Sequence, residues 1–219
     1  MRNAPIESRE RVPWPLGGQR PSRSLPWYRG QDGQPMAPEA RALCRLVHDE
    51  LLAKRFSLAL DCHSGFGVRD RLWFPYAHSH APILHLAETW ALKQRLDRVH
   101  CHHDYLVDPQ SHQYLTHGDL WDYAYLAALE RPDRMFLPLT LEMGSSLWVK
   151  KNPRQLLSRE GIFNPLAGHR VRRTMQRHLA RTDFLMRAVA SHRLWLPAGE
   201  ARDELRLRAL EAWVPGNIG

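Results

Sequence analysis

Two segments of the chain end an apolar run on an ionisable side chain. In Leu58-Ala59-Leu60-Asp61-Cys62-His63-Ser64-Gly65 a histidine follows an aspartate by two positions, and in Leu139-Thr140-Leu141-Glu142-Met143-Gly144 a glutamate closes the run. An imidazole offers the nitrogen lone pair that a transition metal takes, and a nearby carboxylate can hold the ring in one orientation. A glutamate at the end of an apolar strand suits a general base, because partial burial raises its proton affinity. Each residue also has a plainer reading: His63 as a solvated turn residue, Glu142 as a helix cap or surface charge. Zinc sites take at least three protein ligands, so neither residue alone makes a centre.

The elements that must position these groups follow from periodicity. Leu43, Leu46, Val47, Leu51 and Leu52 recur at helical spacing behind Pro38-Glu39 and predict a helix over Ala40 to Lys54. Phe56 to Leu60 reads as a buried strand leading into a polar turn, Asp61 to Gly67, and Leu72 to Ala77 as a second strand. Ile83 to Val99 reads as a helix, and His100 to His117 as a polar loop with at most short strand pieces. Asp119 is placed to cap a helix running to Leu129, and Met135 to Met143 is strand-like. A long helix follows from Gly168 to about His192, with Val171, Met175, Leu179, Leu185, Met186 and Val189 on its buried side, and a charged helix occupies Gly199 to Val214. Strands alternating with helices predict an α/β sandwich around a mixed, mostly parallel sheet, in which functional groups gather beyond the carboxyl ends of the strands. His63 and Glu142 both fall at such ends.

Taken together, these segments resemble the zinc carboxypeptidases. Asp61-Cys62-His63-Ser64 is similar to the D-x-H-S turn of that family, and Thr140-Leu141-Glu142 to its T-x-E strand end. Tyr114 followed by Gly118, Asp122 and Tyr125 resembles the block in which these enzymes set a mobile tyrosine before their specificity pocket. Pro38-Glu39-Ala40-Arg41-Ala42 is similar to the family's P-E-x-x-A helix start, and Met1-Arg2-Asn3 to the end of its D-L-N-R-N motif. The resemblance covers residues 1 to about 190. It divides the chain into a partial catalytic domain, 1–195, opening with an irregular Pro/Gly-rich segment, 1–37, and a charged helix and tail, 196–219.

The resemblance implies a three-layer sandwich lacking its first strands, with zinc as cofactor. It assigns His63 as a metal ligand, Glu142 as the catalytic base and acid, Arg2 as the clamp on the substrate's terminal carboxylate, and Tyr114 as a lid over it. Trp121 would lie near the specificity pocket, or else serve as a core residue of its helix. The family's other two ligands come from an H-x-x-E segment, which occurs nowhere in this chain, and Met1 stands where a clamp asparagine belongs. The implied reading is that Met1 is an internal methionine of a longer reading frame, and that one histidine gives only weak zinc affinity. The implied substrate is a peptide with a free carboxyl terminus. The alternatives are an N-acyl amino acid, cleaved by a deacylase on the same zinc site, and an inert fragment that binds peptide ends without hydrolysis.

Composition narrows the setting. The 43% hydrophobic content of 219 residues supplies a core, which excludes disorder as the default. The net charge of +8 rests largely on Arg170, Arg172, Arg173, Arg177, Arg181 and Arg187, read as the solvated face of one helix rather than a nucleic-acid surface, since no nucleic-acid motif accompanies them. Cys44, Cys62 and Cys101 form no C-x-x-C pair, and no apolar run approaches membrane-spanning length, so the expected setting is cytoplasmic, without a membrane partner. His78 and His80, with His100, His102 and His103 near Cys101, lack the ligand spacing of a structural zinc site.

Overall fold

The structure, a computed structural model, describes residues 38–65, 69–102, 104–116, 118–144, 146–157, 161 and 163–214. Arg2, the opening segment 1–37, Gly67 and His103 lie outside the described residues.

Helix α1, Pro38–Leu46, runs into a π-helical turn, Val47–Leu51, and then strand β1, Phe56–Gly65. Strand β2, Arg71–Phe74, stops at Pro75, which has no N–H to extend a ladder. Helix α2, Leu86–Val99, leads to strand β3, Leu106–Pro109, inside the segment expected to be mostly loop. Helix α3, Leu120–Leu129, strand β4, Met135–Gly144, and the short helix α4, Ser146–Lys151, follow. The long helix α5 is Gly168–Ala190, and α6 is Gly199–Trp213.

The described strands form one open sheet in the order β1-β4-β2-β3, with β1 parallel to β4, β2 parallel to β3, and β2 antiparallel to β4. The fold is therefore α/β with a mixed, mostly parallel sheet. Among the described residues β1 has a strand partner on one side only.

Strand alternation sends side chains to two different cores. Ala59 and Phe136 face α3 and the turn after α1, packing with Val47, Leu52, Ala124 and Ala128. Leu137, Leu139, Leu141, Leu72 and Val107 face the other way, onto α2, α5 and α6, with Leu92, Phe184, Leu185 and Trp213. Helix α6 belongs to this second core: Trp213 is buried and donates its indole N–H to the Val107 carbonyl at 2.8 Å. It is also tied to α2 by Arg202, whose Nε meets the buried Glu88 carboxylate at 2.6 Å.

Two sequence expectations are corrected. The strand of Phe56 does not end at Leu60; pairing with β4 continues through Asp61↔Thr140 and His63↔Glu142 to Gly65↔Gly144, so Asp61 and His63 stand within the strand. The second correction concerns α5. Leu185 is buried as expected and Val189 is partly buried against the core, but Val171, Met175, Leu179 and Met186 are exposed, Leu179 at 58% and Met186 at 62%. Its buried residues, Phe184, Leu185 and Ala188, are all in its second half, so the first half carries apolar positions that meet no core. No described helix is long and apolar enough to cross a membrane.

Candidate functional site

Because residues opposite each other in a parallel register project to the same face, His63 and Glu142 share the α3 face of the sheet. Arg71 is opposite Glu142 in the antiparallel β2/β4 pair, and Trp73 is opposite Thr140, which adds both to that face. Above it, Asp119 ends the loop and caps α3, accepting from the Trp121 and Asp122 backbone N–H groups at 2.8 and 3.0 Å. That cap fixes where Trp121 begins its helix, and the Trp121 indole N–H donates to Asp61 Oδ2 at 2.8 Å. The same oxygen lies 2.9 Å from His63 Nε2. Tyr114 sets its ring edge-on to Trp73, with centroids 6.0 Å apart.

Four residues singled out from the sequence, His63, Tyr114, Trp121 and Glu142, thus come to one face at the carboxyl ends of β1 and β4. Arg2 lies outside the described residues. Trp121 holds Asp61 and packs its ring near Phe136, 6.3 Å between centroids, so it joins core and site at once.

The electrostatics follow from these contacts. The hydrogen bond to Asp61 raises the His63 pKa above its ordinary value; burial opposes this, and the charges of Asp61, Glu142 and Asp119 reinforce it. Asp61 is lowered, chiefly by the same bond, with Trp121 assisting against the cost of burial. Burial raises Glu142 above the usual carboxylate range; His63 opposes that rise and Asp61 adds to it. Tyr114 is raised by burial first and then by the Glu142 and Asp119 charges.

These groups suit the edge of a metal centre in two respects. Asp61 holds His63 at Nε2, which leaves Nδ1 as the other ring nitrogen, and a carboxylate on one nitrogen is the kind of contact that orients a metal-binding imidazole. Glu142 keeps one buried oxygen, Oε2, without a hydrogen-bond partner. Among the described residues, however, no group of three or more His, Cys, Asp or Glu side chains is gathered to hold a metal ion.

From the sequence, Arg69-Asp70-Arg71 reads either as a brace for the active-site turn or as a surface charge run, and the partners of Asp70 and Arg71 in the flanking polar frame were not singled out. Arg71 pairs with Asp108 at 3.2 Å, and Gln113 donates to the same Asp108 oxygen at 3.1 Å. Asp70 accepts from the Gly144 N–H at 3.1 Å and from Arg177 at 2.7 Å, which braces the end of β4 just past Glu142. The signal available was the alternation of β2, where Arg71 and Trp73 share one parity and Asp70 the other. Asp122 is buried and accepts from the Ala77 and His78 backbone N–H groups at 3.0 Å, and from the His78 ring, so His78 serves the packing of α3.

No family model, curated protein or solved structure matches the chain.

Proposed function

We propose that this face is part of the catalytic site of a zinc carboxypeptidase-type hydrolase, a three-layer α/β domain that cleaves an amide bond next to a free carboxylate. The observation that carries the reading is the placement of His63 directly opposite Glu142 on neighbouring parallel strands, with Tyr114 and Trp121 on the same face. The resemblance of the D-x-H-S and T-x-E segments supports it.

In this reading His63 would be one zinc ligand, and further ligands would come from outside the described residues. Bound zinc would supply Lewis-acid polarisation of the scissile carbonyl and a more acidic water. Asp61 holds the His63 ring and Trp121 holds Asp61. Glu142 Oε2 accepts the proton of the attacking water and hands it to the leaving amine, a role for which its raised pKa is suited. The Tyr114 hydroxyl donates to the substrate carboxylate, and Arg2 clamps that carboxylate with its planar guanidinium.

A second reading is favoured by one observation, the single imidazole these residues offer a metal: a domain that binds peptide ends without hydrolysis. Reading the coding sequence upstream of Met1 in frame for an H-x-x-E segment separates the two at the outset. The protein carrying that segment is then assayed on short peptides and on N-acyl amino acids. Peptide hydrolysis lost in Glu142→Gln supports the proposal; preference for acylated amino acids replaces it with a deacylase; absence of both activities in zinc-loaded protein leaves the binding reading.

A further inference from the structure

On the opposite face of the same strand ends is a second concave site. A cavity of about 310 Å³ is lined by Asp70, Met143 and Gly144 from the sheet, by Lys151 at the end of α4, and by His169, Arg170, Arg173, Thr174, Arg177 and His178 from α5. Arg170, Arg173, Thr174, Arg177 and His178 stand at helical i, i+3, i+4, i+7 and i+8 spacing, so one stripe of α5 forms a wall. Asp70 is the one carboxylate among the described lining residues, and both its oxygens are engaged, one by the Gly144 N–H and the other by Arg177.

The stripe is electrostatically costly as it stands. Arg173 and Arg177 are an i,i+4 pair of like charge, of which Asp70 already balances Arg177. The cations also crowd the amino-terminal half of α5, where the helix dipole favours anions; the first turn holds no acidic residue, and no side chain caps the helix. Among the described residues Arg173 has no hydrogen-bond or ion-pair partner. A bound anion would offset the remaining positive charge at this end of the helix. Arg170 is already oriented, with Nη1 3.5 Å from Gln155 Oε1, and buried Gln155 is fixed by its own bonds to the Gly161 and Asn164 carbonyls at 2.8 and 3.0 Å.

We propose that this cavity is a binding site for an oligophosphate anion of about triphosphate size. Arg170 and Arg173 supply the charge, Lys151 lines the same cavity, Arg177 remains on Asp70, and the volume of about 310 Å³ lies at the lower end of the range for ligand pockets, roughly 300–1,000 Å³. The planar guanidinium fork can pair with two phosphate oxygens at once. The basic face expected from the sequence therefore divides: Arg172 and Arg187 are exposed and outside the cavity, Arg173 is exposed at its rim, and Arg170 and Arg177 line it partly buried. This site does not depend on the hydrolase reading, since it uses the other side of the sheet and none of the residues assigned to catalysis.

Isothermal titration of the 219-residue chain with inorganic tripolyphosphate is expected to give saturable one-to-one binding that weakens as salt is raised. Arg173→Glu is expected to weaken it by about tenfold or more. Arg172→Glu changes the net charge equally from an exposed position outside the cavity and should leave affinity within about threefold. Circular dichroism checks that each variant folds, and Arg170→Gln supplies the same comparison if Arg173→Glu does not. Absence of saturation, equal losses in the Arg172 and cavity variants, or citrate binding as tightly as tripolyphosphate would overturn the assignment.

Discussion

The indole nitrogen of Trp121 lies 2.8 Å from Asp61 Oδ2, so a helix residue on one side of the site fixes a strand carboxylate on the other. Trp121→Phe keeps most of the ring packing and removes only the donor. The expected result is a loss of about 1.5–3 kcal/mol in chemical denaturation, the scale of a hydrogen bond to a charged group. The Asp61 pKa should rise toward its ordinary value, because Trp121 is one of the groups that lowers it. An unchanged Asp61 titration by carboxyl-carbon NMR would show that the indole contributes nothing to the carboxylate.

Asp61 and His63 make a pH window. His63 is raised in the folded state, so its stabilising share is full below its unfolded pKa and fades as pH rises through the higher folded value. Asp61 is lowered, so its share is full above its unfolded pKa and fades as pH falls through the lower folded value. The pair therefore contributes most between about pH 4 and 6.5, the ordinary values of the two groups. Asp61→Asn should bring the His63 pKa down and flatten the stability profile on both sides of that window; imidazole proton NMR and melting against pH read the two effects. A His63 titration unmoved by the substitution would mean the contact does not set its charge.

Glu142 carries the opposite sign. Its folded pKa is raised, so ionising it costs stability above the folded value, and the cost vanishes below the unfolded value, where both states are protonated. Glu142→Gln is expected to raise the melting temperature at neutral pH, with the gain shrinking to nothing below about pH 4. Such a gain would fit the proposed role of Glu142, since active-site groups are often kept at the expense of stability. A destabilised variant at neutral pH would instead make the carboxylate structural.

Glu88 and Arg202 test whether the terminal helix is part of the same folding unit. The Glu88 side chain is 2% exposed, and Arg202 Nε is its ion-pair partner from α6. Arg202→Ala leaves a buried charge uncompensated and should cost about 3–5 kcal/mol, with Glu88→Gln in the same chain recovering part of it. A single unfolding transition that moves as a whole is expected; a separate early transition would show α6 unfolding by itself.

Much of the fold could be read from local pattern. Asp119 carries its capping role in its residue type and position, and the apolar runs of β1 and β4 located His63 and Glu142 near strand ends. The longer extent of β1 could not be read locally. Asp61, His63 and Ser64 look like a turn, and they are strand only because β4 continues opposite them, a non-local partner invisible in a short window. The exposed positions of α5 were misplaced for a related reason: helical periodicity marks an apolar stripe but does not say how far the neighbouring sheet extends beneath it. Asp108 as the partner of Arg71 escaped notice because their pairing depends on β2 and β3 lying side by side, which 37 residues of separation conceal.

Strand β1 has consequences for solvent exchange. It is paired with β4 along Phe56–Gly65, yet it has no described neighbour on its other side. In a parallel pair, backbone N–H groups point alternately toward and away from the partner. Amide protons along β1 should therefore alternate between slow and fast exchange with solvent deuterium, residue by residue, although Phe56 and Ala59 are buried by their side chains. A ligand or second chain that adds a strand there would reveal itself by slowing only the fast set.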